Sequence, residues 1–312
     1  MSAPVIASLG ELLVEFVCTE KDTGHARAAP YVGPFASGAP GIFVDQAAQI
    51  TGRAVFAGAV GDDAFGRVIL DRLRAHGVDD RLIRVTNLPT GTAHVAYASD
   101  GSRSFVFNIA QSAAAHLPGV DEIIAGFATA GVTHLHISGS TLGDSRMRAT
   151  ARAVCDSLKG QGVALSIDPN IRLELMRDAG YIDALRHIIA QADYILPSDA
   201  DALALWPDAD FAAIVASLPQ ARAVVLKRGD LGCIGHAAGE TLSVPAHPVA
   251  VIDPTGAGDC FCAAFLAFTS LGHPLPDALR IANAAGALAV GALGPMEGNS
   301  PIERITAMAG TG

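Results

Sequence analysis

The chain has 312 residues, 50% hydrophobic and 17% charged, a balance that excludes a disordered or fibrous protein and allows a sizeable buried core. Its 21 Lys and Arg against 31 Asp and Glu leave a formal charge of −10, with no basic cluster. That lacks the electrostatic footprint of a nucleic-acid or anionic-membrane binder, so a small-molecule partner is expected.

The first residues, MSAPVIASLGELLVEF, contain no basic segment ahead of an apolar one and soon carry acids, unlike a secretory signal. The longest apolar run, Cys260 to Phe268, falls far short of the roughly 20 residues that span a bilayer. The cysteines (18, 155, 233, 260 and 262) form no C-x-x-C pair, which fits reduced thiols and a cytoplasmic setting.

Along the chain, apolar runs at 4–10, 54–60, 132–138, 162–169, 192–197 and 222–227 read as buried strands. Helical stretches separate them. In residues 63–77, Phe65, Val68, Ile69, Leu70 and Leu73 crowd one side and Gly77 supplies a stop. This alternation predicts a mainly parallel sheet covered by helices on both faces. Residues 12–36 and 91–108 break the rhythm with strand-like pieces, the second folded around Ser99-Asp100-Gly101. They are too short for a core of their own, so a small β flap over one 1–312 unit is expected, with an extra edge hairpin as the plain alternative.

The informative stretch is 251–268, VIDPTGAGDCFCAAFLAF. A strand is expected to end at Ile252, followed by a tight turn and a buried helix from Cys260. Gly256, Ala257 and Gly258 at the helix start leave backbone N–H groups unpaired, at the positive end of the dipole, where a phosphate would sit. Asp259 lies beside them as a candidate base, or as a mere helix cap. Asp253 and Thr255 add an acid and a hydroxyl.

The run DPTGAGDCF resembles the D-T-x-G-A-G-D-x-F motif of the PfkB/ribokinase sugar kinases, departing at Pro254. VGDDAFG (60–66), SGAPGIFVDQAA (37–48), DPN-I-R (168–172), LKRGDLG (226–232) and IANAAGALAV (281–290) extend the resemblance over nearly the whole chain, toward its fructokinase-like and ketodeoxygluconate-kinase-like branch. The resemblance implies a ribokinase-like three-layer sandwich with a small β lid, ATP and Mg²⁺ as cofactors, and phosphorylation of a small sugar. It makes Asp259 the base, with Gly256, Ala257 and Gly258 as the anion hole. Lys227, Gly229, Gly232, Thr255 and Asn283 become nucleotide-side residues. Asp201 falls in the place of the family's magnesium-ordering acid, although Ser198 stands for its Asn. Asp253 would serve a monovalent cation such as K⁺.

On the sugar side, Glu11, Gly38, Asn170 and Arg172 are implied contacts, and Glu15 shares the strand face of Glu11. Ile42 replaces an expected Asn, so Asp45 and Gln46 either substitute as hydroxyl ligands or face solvent. Asn108 and Ile109 align where ketodeoxygluconate kinases carry a Tyr-Arg pair. Without that carboxylate clamp, a neutral ketohexose or related sugar is favoured over a sugar acid. A nucleoside kinase is the further alternative within the class. His134 and His136 alternate on a strand, and packed core histidines are commoner than a metal pair. Pairing of the flaps into a homodimer would bury Val95 and Phe107 between protomers.

Competing classes lack their marks. A dinucleotide-binding oxidoreductase needs G-x-G-x-x-G after the first strand, where only one glycine stands. A P-loop sequence is absent. A non-catalytic sugar sensor would be expected to have lost the base or the anion hole, and both are present.

Overall fold

A computed structural model describes residues 4–175, 178 and 180–310. In chain order the strands are β1 (Ile6–Leu9), β2 (Leu13–Cys18), β3 (Tyr31–Ser37), β4 (Ala54–Gly61), β5 (Val78–Thr86), β6 (Gly91–Tyr97), β7 (Arg103–Asn108), β8 (His134–Ser138), β9 (Ala164–Asp168), β10 (Tyr194–Ile195), β11 (Ala223–Lys227), β12 (Cys233–Ala237) and β13 (Glu240–Val244). The helices are α1 (Ala39–Thr51), α2 (Ala64–Ala75), α3 (Val120–Ala130), α4 (Ser145–Gly160), α5 (Gly180–Ile189), α6 (Asp199–Leu205), α7 (Phe211–Ala216), α8 (Ala257–Ser270), α9 (Leu275–Ala289) and α10 (Ile302–Ala309).

Nine strands make one sheet in the order β13-β12-β11-β10-β9-β8-β1-β4-β5. From β11 to β5 every pairing is parallel, and β12 pairs antiparallel with both β11 and β13. Alternate side chains feed two cores. Ile6, Ala54, Phe56 and Val225 pack with α1, α2, α8, α9 and α10, whereas Ala7, Val55, Leu165 and Val224 pack with α3, α4, α5 and α7. The result is the three-layer α/β sandwich expected from the strand–helix rhythm.

Helix boundaries follow local chemistry. Asp63 caps α2 by accepting from the Gly66 N–H at 2.8 Å, and Gly77 reverses the chain at φ +84°. Helix α8 is buried on every side from Asp259 to Phe268 because it lies between the sheet and its neighbours α1 and α9. Each large side chain it buries, Phe265 and Leu266 among them, contributes about 1.5–3 kcal/mol.

Two elements depart from the sequence reading. No strand runs to Ile252: residues 245–252 are irregular, Pro245 and Pro248 offer no N–H to a ladder, and Val251 and Ile252 are exposed. The β12–β13 hairpin was not expected. Its turn, Ala238-Gly239, has φ of +51° and +82°, the type I′ geometry that suits a two-residue connection.

The segments 12–36 and 91–108 supply a second sheet, ordered β3-β2-β6-β7. Val95 is fully buried within the chain, so it is not free to be buried between protomers as expected; Phe107 is half-buried and lines a pocket, and Val32 and Val106 are exposed large apolar residues of this sheet. Among the described residues no helix is long and apolar enough to cross a membrane.

Candidate active site

The parallel strands bring their C-terminal ends to one edge, which is where ligands collect in open α/β sheets. From these ends emerge Glu11 after β1, Ser140 and Thr141 after β8, Asp168 and Asn170 at β9, Asp201 beyond β10, and Lys227 at β11. Above them opens a cleft of about 720 Å³ that includes Asp168, Asn170, Asp201, Lys227, Gly229, Gly232, Asn283 and the apolar Val249 and Val290. Beside it is a smaller pocket of about 60 Å³, bounded by Glu11, Glu15, Gly38, Ile42, Phe105, Phe107, Ile109 and Thr255. Arg103, Arg172, Gly256 and Asp259 belong to both.

That junction is built by the turn leading into α8. Asp253, fully buried, accepts from the Tyr97 hydroxyl at 2.5 Å, from the Thr255 N–H at 2.9 Å and from the Gly294 N–H at 3.0 Å. It is therefore the anchor of the turn, and a monovalent cation would have to share oxygens already engaged. Gly256 sits at φ +83°, and a Cβ there would lie 2.3 Å from the Pro295 carbonyl oxygen, so only glycine fits. At Gly258 a Cβ would meet nothing nearer than the Lys227 Nζ at 3.5 Å. No side chain caps α8, which leaves the first-turn N–H groups facing the junction.

Asp259 follows directly. It is 7% exposed, and its Oδ1 is buried without a partner among the described residues. Burial, then the nearby Asp168 carboxylate, push its pKa up to about 7, against the pull of Lys227 and Arg172. A buried carboxyl raised toward neutrality beside the N–H groups of a helix start has the properties a general base requires.

Asp168 and Lys227 form a buried ion pair, and Cys262 Sγ lies 3.4 Å from the Lys227 Nζ. Burial raises the Asp168 pKa in spite of Lys227. For Lys227, burial pulls the other way but the Asp168 carboxylate outweighs it, so the ammonium stays charged. Asp201 forms a capping box with Ser198 and also accepts from the Ile171 N–H at 2.8 Å. These bonds hold its carboxylate at the cleft wall.

On the other side, Glu11 accepts from Ser140 Oγ at 2.6 Å and Thr141 Oγ1 at 3.0 Å, and burial raises its pKa. Glu15 has only a 3.3 Å bond from Ser37 Oγ, and its Oε1 is buried without a partner. Burial and the neighbouring Asp253 push Glu15 up to about 8. Asn170, at φ +36°, donates to Ser138 Oγ at 3.0 Å; Asn283 donates to the Val244 and Pro245 carbonyls.

Two expected sugar contacts are corrected. Asp45 is fully buried away from either pocket, accepting from His76 Nδ1 at 2.8 Å and Asn299 Nδ2 at 2.7 Å, with the Arg72 Nε 3.5 Å away. It ties α1 to α2 and to the 294–300 segment. Its neighbour Gln46 is likewise buried, bonded to the Ser300 backbone, so neither residue is a hydroxyl ligand or faces solvent. Asn108 is exposed and donates to Thr92 Oγ1 at 3.0 Å, because β7 turns Arg103, Phe105 and Phe107 to the pocket and the even-numbered residues away. His136 is a core residue stacked on Phe43, with centroids 3.8 Å apart.

Sequence reasoning did not single out Asp168, Arg103 or Tyr97. The alternation in β7 would have pointed to Arg103, and Asp168 opens the DPN-I-R segment already noted.

An α/β sheet with a helix N-terminus lacking a side-chain cap and a buried acid where a large cleft meets a smaller pocket suits a phosphotransferase acting on a small hydroxyl compound. Residues 4–302 match the pfkB family carbohydrate kinase model, and the chain belongs to that family as an ATP-dependent carbohydrate kinase. It is 31% identical to the probable fructokinase-5 of Arabidopsis thaliana over 303 residues, covering 92% of this chain and 91% of that one. It is 32% identical to the fructokinase of Klebsiella pneumoniae, covering 83% and 87% of the two chains. Among solved structures, a putative ribokinase II from E. coli in complex with ATP and Mg²⁺ superposes with a TM-score of 0.90 at 35% identity, covering 99% of this chain and 100% of that one.

Proposed function

We propose that the chain transfers the terminal phosphoryl group of ATP to a hydroxyl of a neutral ketohexose, D-fructose or a close relative, with Asp259 as the base. The observation that carries this is the buried, unpartnered Asp259 Oδ1 at the junction of the two pockets, next to the uncapped start of α8. ATP would lie in the large cleft, its base against Val249 and Val290 and its phosphates along Gly229, Gly232 and the α8 N-terminus. The acceptor oxygen forms its bond to phosphorus as the bond to ADP breaks, and Asp259 takes the hydroxyl proton. The N–H groups of the 256–258 turn hold the negative charge of the moving group. Mg²⁺, as in the complex of the E. coli relative, would neutralise phosphate charge. Asp168, Asp201 and Asp230 are carboxylates of that cleft; the oxygens of Asp168 and Asp201 already accept hydrogen bonds, so they would serve such an ion mainly through its water ligands.

Charge balance supports a neutral sugar. Arg103 and Arg172 enter the acceptor pocket, but so do Glu11 and Glu15, whose raised carboxyls suit hydrogen bonds to sugar hydroxyls and would repel a carboxylate whenever ionised. The small sheet, folded over this pocket, serves as a lid that excludes water from the transfer. The test is ADP release from Mg-ATP across fructose, tagatose, ribose, ketodeoxygluconate and adenosine. Highest turnover with a ketohexose is expected; activity confined to ketodeoxygluconate or to adenosine would overturn the substrate class.

A further inference from the structure

Tyr97 and Arg103 face each other across the β6–β7 pairing of the lid, and both reach the turn that carries the anion hole. The Tyr97 hydroxyl donates to Asp253 and lies 3.1 Å from Thr255 Oγ1, while an Arg103 guanidinium N–H donates to the same Thr255 oxygen at 3.3 Å. The guanidinium also lies over the Phe105 ring, 5.4 Å from its centroid. Phe105 and Phe107, on the same face of β7, line only the small pocket, whereas Arg103 lines both. The lid thus delivers a fixed positive charge beside Gly256 and Asp259, where a phosphoryl group would cross.

The charge inventory gives that position a purpose. The transferred group brings its own negative charge to a junction lined by Asp259, Glu11 and Glu15, none of which can balance it in either protonation state. Lys227 is already paired with Asp168. Arg172 also lines both pockets but comes from the segment after β9, so Arg103 is the cation carried by the lid strands. We propose that Arg103 is a catalytic residue whose guanidinium contacts the phosphoryl group in flight, and that Tyr97 is a positioning residue that seats it through Thr255. The proposal rests on the transfer route described above. Lid closure and charge stabilisation would then be one event.

The test compares wild type with Arg103→Met, Arg103→Lys, Tyr97→Phe, Tyr97→Phe/Arg103→Met and Asp259→Asn. It measures ADP release with the best acceptor of the panel and the slow hydrolysis of Mg-ATP without sugar. Arg103→Met is expected to lower kcat by about 10²–10³ while acceptor KM moves less than about threefold, and to lower sugar-free hydrolysis alongside. Arg103→Lys should recover part of kcat. Because Tyr97→Phe also removes a bond to Asp253, the double-mutant cycle is the readout: the loss from Tyr97→Phe should be clearly smaller in the Arg103→Met background than in wild type, and fully additive losses would overturn the positioning role. An unchanged kcat with a raised acceptor KM would make Arg103 a sugar clamp and overturn the proposal. So would a rise in sugar-free hydrolysis, which would reduce the lid contact to water exclusion. Retained turnover in Asp259→Asn would overturn the base assignment instead, so the two readings fail separately.

Discussion

Replacing Asp259 by Asn should stabilise the protein as it disables it, and by an amount that depends on pH. Burial raises the carboxyl from an ordinary 3.8 to about 7. As pH rises, the unfolded chain gives up this proton first, so between these values the folded state holds more protons and loses stability. The slope is about 1.4 kcal/mol per pH unit, so between pH 5 and the plateau above pH 7 the carboxylate costs the fold about 3 kcal/mol. Asn matches Asp in volume and cannot ionise, so the variant escapes this cost without opening a cavity. With an unfolding entropy of roughly 650 cal/mol/K for 312 residues, its Tm advantage over wild type should grow by about 4 °C from pH 5 to pH 8. Thermal melts of both proteins at the two pH values give the answer. Contributions from Glu11, Glu15 and Asp168 are common to both chains and cancel to first order in the comparison. A Tm difference that is the same at pH 5 and pH 8 would mean Asp259 is not a strained, raised carboxyl, and the reasoning would fail.

Other expectations are simpler. The acid limb of kcat/KM should fall with an apparent pKa near 7, activity rising toward higher pH as Asp259 ionises, and a limb near 4 would count against it. Gly256→Ala should destabilise the fold and displace the anion hole, because its Cβ would meet the Pro295 carbonyl. Gly258→Ala should leave the Tm within about 2 °C but raise the KM for ATP, since the room there serves a ligand, and urea melts beside kinetics separate the two. Asp45→Asn should cost about 2–4 kcal/mol of stability through its buried network and leave the acceptor KM unchanged; a KM effect alone would return Asp45 to the sugar site.

What the sequence revealed depended on whether the chemistry was contiguous. The 256–259 stretch carries its glycines, uncapped N–H groups and acid within one turn, so its geometry follows from local rules. The lid strands were legible from alternation and a turn at 99–101. Side-chain direction at a single position was not: Asn108 was placed on the pocket, yet one residue along β7 reverses the face and puts Ile109 there instead. Asp45, a polar residue on an apolar helix, resembled a ligand because its partners His76 and Asn299 come from distant segments. The same distance hid the Asp168–Lys227 pair and the reach of Tyr97 and Arg103 to the 253–255 turn. Ile252 looked like a strand end because of its apolar character, but prolines upstream leave the segment without a ladder.

The central claim is most directly tested by comparing wild type and Asp259→Asn, folded to the same extent by circular dichroism, for acceptor-dependent ADP release from Mg-ATP. The account predicts turnover at least ~100-fold lower in the variant with ATP binding retained. Undiminished turnover by Asp259→Asn would contradict it.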